Sequence, residues 1–209
     1  EEVFSDLYIS NLYENHYRVR PWTPELLEEV DYEQAFQFYQ ERFDNASDFT
    51  FYFVGSFDLK TIKPLVETYL GGLPSTFKRE NWKDRDVDYF SGIHADTLRM
   101  GLEPKSTTYL IYTGPFAYNI RNRLNFYAME KMLNIRLNET VREKIGGVYS
   151  IGAYGWKVKY PNQSYVFIIS FNSDPDQQKT IIEAIEQEIE NLQENGFGQS
   201  YLDKVNKQM

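Results

Sequence analysis

With two histidines, His16 and His94, and no cysteine in 209 residues, this sequence lacks the side chains for a catalytic zinc or thiol centre of its own. A peptidase zinc site needs two His one helical turn apart, a Glu beside them as base and a further carboxylate as third ligand. His16 lies in E-N-H-Y-R and His94 in G-I-H-A-D, far apart and without those neighbours, so both read as polar loop histidines that bind nothing. No G-x-S-x-G elbow presents a serine nucleophile, and F-V-G-S-F lacks the second glycine. V-G-S-F-D-L-K and K-I-G-G-V-Y match neither glycine pattern that cradles phosphate. The 31 Asp and Glu are spread over what read as surface helices, so any choice of a catalytic carboxylate pair is arbitrary. No catalytic residue and no metal ligand is therefore assigned within this chain.

What stands out is Val141 to Ser150, V-R-E-K-I-G-G-V-Y-S, where a helix ends, Gly146 and Gly147 turn the backbone, and a strand begins at once. Arg142 on the last helical turn and Tyr149 at the strand start can both point past that turn. Together they offer a fixed cation and a phenol donor to one carbonyl or oxyanion. The plain structural reading stays open: an Arg near a helix C-terminus complements the dipole, Gly is an ordinary helix stop, and a strand Tyr packs.

The elements that hold this turn are well punctuated. A helix from about Asn119 to Lys144 carries Ile120, Leu124, Tyr127, Ala128, Met132 and Ile135 as its expected buried stripe. Strands at Val148 to Trp156 and Ser164 to Phe171, joined through Pro161-Asn162, predict a hairpin. Asp174-Pro175-Asp176 reads as the N-cap and first turn of a helix with Ile181, Ile185, Ile189 and Leu192 on its core face, stopped at Asn195-Gly196. A last helix begins near Ser200 and reads as cut short at Met209. Strands are also expected at Thr97 to Leu102 and at Thr107 to Thr113, the second closed by Pro115.

Earlier in the chain, residues 1–46 read as helical, with Thr23 as cap ahead of Pro24 and a buried face at Tyr32, Ala35, Phe36 and Tyr39. Phe49 to Val54 predicts a short buried strand. Asp58 then caps a helix whose apolar face is Ile62, Leu65, Val66, Tyr69 and Leu70, ended by Gly71-Gly72. Residues 75–95 are charged and aperiodic and read as a connector, with a boundary near Asn81. An aromatic share of 17% is too high for disorder, so the acidity belongs to the surface. A net charge of -9 repels phosphate backbones and anionic membranes, which argues against a nucleic-acid partner. No run approaches the roughly 18 apolar residues of a spanning helix, and the acidic start reads as lying after any targeting segment. The lack of Cys fits the cytoplasm or a Cys-poor bacterial envelope protein.

V-R-E-K-I-G-G-V-Y-S resembles the R-E-K-L-G-x-x-Y-S segment of the insulinase/pitrilysin-type zinc peptidases, the inverzincins. F-T-F-Y-F-V-G-S-F-D-L-K-T-I-K-P-L-V-E-T-Y-L-G-G-L-P-S is similar to that family's strand-helix segment before its interdomain connector, and P-W-T-P-E-L-L, A-F-Q-F-Y-Q-E-R-F and G-L-E-P-K-S follow in order. The resemblance implies an α+β fold of two-layer α/β sandwich subdomains with mostly antiparallel sheet, like mitochondrial processing peptidase. It further implies the zinc-free C-terminal half of a tandem bacterial member, with residues 1–80 ending one domain, 81–95 connecting, and 96–209 forming most of the last. In such proteins two halves close around an unfolded peptide and zinc sits in the first domain, so the expected partners are a peptide substrate and the N-terminal zinc-bearing half, or a homologous subunit. H-x-x-E-H is missing here, and no ligand carries over. The family's Arg and Tyr, which contact substrate backbone and scissile carbonyl across the chamber, map onto Arg142 and Tyr149. The expected parent is thus a zinc metalloendopeptidase in the periplasm or cell envelope, with this chain inactive alone. The alternative is a noncatalytic homologue acting as scaffold or partner subunit.

Overall fold

The structure, a computed structural model, describes residues 2–77 and 81–206. Residues 20–85 form one compact unit, and residues up to Val19 together with those from Asp86 onward form a second.

The second unit is built on an antiparallel sheet of β1 (Ser106–Pro115), β2 (Val148–Val158) and β3 (Ser164–Ser173), in the order β1-β3-β2. The central strand carries Val166, Phe167, Ile168 and Ile169 without a polar break because both of its faces are covered. Phe167, Ile169 and Phe171 meet one layer of helices, α5 (Ile120–Leu137) and α6 (Gln178–Asn195), through Phe126, Leu133, Leu137, Ile181 and Ile185. Val166 and Ile168 face the other way onto Leu12 of α1 (Glu2–Leu12) and onto Tyr89 and Phe90. Burying each such side chain contributes about 1.5–3 kcal/mol. Gly155 permits the closest approach: a Cβ there would lie 2.5 Å from the Val166 carbonyl oxygen and 2.8 Å from Phe126 Cζ. α7 (Gln199–Asn206) is tied to α5 by Arg136 Nη1, which donates to the Tyr201 hydroxyl at 3.0 Å, and to the turn after α5 by Lys204 Nζ, 2.9 Å from Glu139 Oε1. The Tyr201 hydroxyl and Lys204 hold the Glu139 carboxyl below the usual carboxylate range.

The first unit is helical. α2 (Pro24–Glu28), α3 (Tyr32–Phe43) and α4 (Leu59–Tyr69) are each opened by the cap the sequence supplies: Thr23, Asp31 and Asp58 accept from Leu26, Gln34 and Thr61 backbone N–H groups. Asn45 Oδ1 accepts from Thr76 N at 2.9 Å and so pins the return of the chain.

Five expectations need correction. Phe49 to Val54 is extended but unpaired, and it is open to solvent, with Val54 99% exposed. An aromatic run supplies strand propensity, but a strand exists only where a neighbour completes its hydrogen bonds, and none of the described residues does so. The same holds for Thr97 to Leu102, where Gly101 at φ +94° also breaks the extended path. On α3 the face Tyr32, Phe36 and Tyr39 is exposed, as are Leu65 and Tyr69 of α4. On α5 the buried stripe is Phe126, Leu133 and Leu137, whereas Ile120, Leu124 and Tyr127 face solvent. The hairpin, the closing role of Pro115 and the Ile181–Ile185 face agree with expectation. The stretch 207–209, where the last helix was expected to be cut short, lies outside the described residues, as do 78–80 of the expected connector.

Candidate functional site

The helix that leads to the candidate turn changes pitch before it stops. After Leu137 the chain enters a π-helical turn, Asn138–Arg142, in which Glu143 N bonds the Asn138 carbonyl oxygen at 3.0 Å. Such a wide turn is unfavourable in itself and recurs at functional sites. Val141 anchors it in the core at 1% exposure, and the next residue, Arg142, is exposed. Its Nη1 lies 3.4 Å from Asn138 Oδ1, at the long end of hydrogen-bond distance.

Gly147 makes the reversal. Its φ is +82°, in the left-handed region, and a Cβ on it would lie 3.0 Å from Gln177 Cγ and 3.1 Å from Asp174 Oδ2. Gly146 is outside the left-handed region and its Cβ would meet nothing within 4 Å. Of the two glycines expected to support the turn, the backbone requires only the second.

Tyr149 sits in a β-bulge. Val148 pairs with Ser173 and Ser150 with Asn172, so Tyr149 is the extra residue that no β3 residue opposes. A bulge re-aims its side chain, and here the ring turns beyond the strand end, where the phenol donates a hydrogen bond to Asp174 Oδ1. That bond, made to a carboxylate that favours the neutral phenol, raises the Tyr149 pKa above its ordinary value. Asp174 is itself fixed: its N–H donates to the Gly147 carbonyl oxygen at 3.1 Å, and its neighbour Ser173 is fully buried. Asp174 stands at the N-cap of the 3₁₀ turn Pro175–Gln177, as expected, with its carbonyl oxygen accepting from Gln177 N at 3.0 Å, but its side chain makes no cap bond and one of its oxygens receives the phenol.

Arg142 and Tyr149 thus have separate partners, Asn138 and Asp174, one on each side of the Gly147 turn. Beside Tyr149 a polar row crosses the sheet: Thr107 Oγ1 donates to Asn172 Oδ1 at 2.7 Å, and Asn172 Nδ2 to Ser150 Oγ at 2.8 Å. Farther along β2, Asn134 of α5 closes part of the outer edge by accepting from Ala153 N at 2.8 Å and donating to the Ala153 carbonyl oxygen. Sequence reasoning found Arg142, Tyr149 and the glycines. It missed Asp174, Asn138 and Asn134, although counting pairs outward from the hairpin turn would have set Asp174 just past the Tyr149 position. An open cleft of about 620 Å³ lined by Phe90, Tyr112 and Tyr165 lies at the opposite end of the sheet, away from these residues.

Zinc does not fit the described residues. His16 Nδ1 accepts from Arg18 N at 3.1 Å, and the His94 ring packs on Phe90. Among the described residues, no group of three or more His, Cys, Asp or Glu could hold a metal ion. Nor is any described helix long and apolar enough to cross a membrane.

Residues 29–209 match the protein family described as the peptidase M16 inactive domain. The chain belongs to the M16 peptidase family. A curated relative, the probable zinc protease PqqL of Haemophilus influenzae, is 24% identical over 170 residues, covering 79% of this chain and 18% of the relative. Among solved structures, the periplasmic protease PqqL from Escherichia coli superposes with a TM-score of 0.84 at 16% identity, over 99% of this chain and 23% of that one. The ferredoxin protease FusC, solved as a mutant in complex with Arabidopsis ferredoxin, gives 0.75 at 17% identity over 99% of this chain and 22% of its own. The chain therefore spans about a fifth of the length of these relatives. The M16 fold, with its mixed helices and antiparallel sheet, agrees with the α+β expectation.

Proposed function

We propose that this chain is the substrate-facing, zinc-free C-terminal portion of a larger zinc metalloendopeptidase, and that Arg142 and Tyr149 are its contacts with the bound peptide and the transition state. The observation that carries the reading is the pairing of two local irregularities. A π-helical turn delivers Arg142 and a β-bulge delivers Tyr149, on either side of a left-handed glycine. Both distortions cost stability, and together they present polar groups at the end of the sheet rather than adding to the core. Membership of a family described as inactive, with relatives named as zinc proteases, supports the division of labour.

In this reading zinc is held by an N-terminal half of the same polypeptide or by a homologous subunit, and the substrate is an unstructured peptide enclosed between the halves. The exposed guanidinium of Arg142 binds and orients a backbone carbonyl, where a preformed donor strengthens as negative charge develops. The turn at Gly147 and the buried Val141 hold the geometry so that little rearrangement is needed on binding. The periplasm or cell envelope is the proposed location, in keeping with the E. coli relative's description. The 209-residue chain, supplied with zinc, is expected to leave unstructured quenched-fluorescence peptides uncut. Hydrolysis by the chain alone, unchanged by Arg142→Ala, would sink the proposal.

A further inference from the structure

Where Arg142 points is decided by the π-helical turn Asn138–Arg142 that carries it. A wide turn inserts one residue into α-helical winding, and one residue corresponds to about 100° of rotation about the axis. Closing it to regular α-helix would rotate either Val141 out of the core, where it is 1% exposed, or Arg142 away from its exposed place. Such a turn persists only where its surroundings over-determine it.

Two of its restraints are local. Asn138 Nδ2 donates to the Asn134 carbonyl oxygen at 2.9 Å, and Thr140 Oγ1 to that of Arg136 at 2.8 Å. Side-chain bonds to the preceding turn form equally well in a regular helix, so they bend the chain without selecting its register. Glu139, between them, reaches outward. Its Oε2 accepts from the Tyr201 hydroxyl and its Oε1 lies 2.9 Å from Lys204 Nζ, so both oxygens are gripped by α7. Charge-assisted bonds to both oxygens fix the carboxylate in place. Tyr201 is itself fixed: its hydroxyl accepts from Arg136 Nη1 at 3.0 Å, and its ring centroid lies 5.5 Å from Arg136 Cζ and 4.9 Å from Lys204 Nζ. Arg136 Nε in turn stands 2.6 Å from Glu188 Oε1 of α6, and α7 is anchored by the fully buried Val205. The Tyr201 hydroxyl first, and Lys204 after it, keep the Glu139 carboxyl ionised by holding it below the usual carboxylate range.

We propose that Glu139 is a positioning residue: gripped by Tyr201 and Lys204, it holds the π-helical turn in the register that presents Arg142 to the substrate. This rests on the reading of Arg142 as a substrate contact. It makes α7, which contributes no contact of its own to the Gly147 turn in this account, the element on which the placement of Arg142 depends.

The test uses the full-length, zinc-loaded protein and an unstructured quenched-fluorescence peptide, with hydrogen exchange followed at the Glu143 amide, whose bond to the Asn138 carbonyl oxygen closes the wide turn. Glu139→Ala is expected to lower kcat/KM on the order of tenfold, given that a misplacement of about 1 Å can cost about a hundredfold. Exchange at Glu143 is expected to speed up while zinc content stays the same. The changes in kcat and in KM are expected to stand in the ratio that Arg142→Ala produces, which a mere loss of folded enzyme would not do. In an Arg142→Ala background the same substitution is expected to cost less than about twofold, because both act through one group. Tyr201→Phe, which keeps the ring between its two cations and loses only the hydroxyl, is expected to repeat the pattern with a smaller loss. Glu139→Gln, which keeps an acceptor for that hydroxyl, is expected to recover part of the activity. Melting curves report whether each variant is folded, and if Glu139→Ala is not, Tyr201→Phe decides. Unchanged kcat/KM in the folded variants, or a loss that adds in full to that of Arg142→Ala, would overturn the role of Glu139 while leaving Arg142 as a contact. Full activity of Arg142→Ala would instead remove the reading beneath it.

Discussion

Gly146 and Gly147 are neighbours, yet the backbone treats them differently. Gly147 adopts φ +82° against Asp174 and Gln177, so a methyl group there costs about 1–3 kcal/mol in strain and displaces the carboxylate that holds Tyr149. Gly146 lies in open space outside the left-handed region. Thermal melts are expected to show Gly147→Ala destabilised by several degrees and Gly146→Ala within about 0.5 kcal/mol of the unaltered chain. Equal effects would mean that the turn does not depend on the second glycine. At this scale the sequence was partly legible. R-E-K-I-G-G-V-Y announced a helix, a turn and two polar residues, because those rules act within ten positions. Asp174 was hidden, since the D-P-D string is an equally good helix cap and only the pairing of Val148 with Ser173 brings it beside Tyr149.

Elements were legible where local chemistry marks their ends, as at Thr23, Asp58 and Gly196. Phase was harder. α5 carries apolar residues around most of its circumference, so a stripe through Leu124 and Met132 and one through Phe126 and Leu133 fit the sequence comparably, and the sheet selects the second. Asn134 lay outside any apolar pattern, yet it clasps β2 from α5 at Ala153 and also donates to the Glu130 carbonyl oxygen at 2.9 Å. Asn134→Ala would leave the Ala153 N–H and carbonyl without their side-chain partner along the helix. Denaturant unfolding is expected to show a loss of about 1–3 kcal/mol. A loss below about 0.5 kcal/mol, the range of an ordinary surface change, would show that solvent replaces the amide at no cost. The clasp also means that a peptide adding to this edge of β2 cannot use Ala153 while Asn134 is in place.

Across the whole molecule, the sequence marked the apolar residues of Phe49 to Val54 and of α3 as interior, and the structure leaves most of them exposed. Their pattern describes a surface meant to be covered, but pattern alone does not say by what. The relatives, about five times longer, supply a reason to look for the cover in the rest of a parent chain. The same reasoning separates zinc from the two polar residues of the Gly147 turn. A full-length protein in which Arg142 is changed to Ala decides the matter most directly, with kcat/KM read on an unstructured quenched-fluorescence peptide and bound zinc counted in the same sample. If Arg142 reaches the substrate, kcat/KM falls on the order of a hundredfold while zinc content and melting temperature stay as they were. Unchanged kcat/KM in that zinc-replete variant would contradict the assignment of this chain as the substrate-facing part of the enzyme.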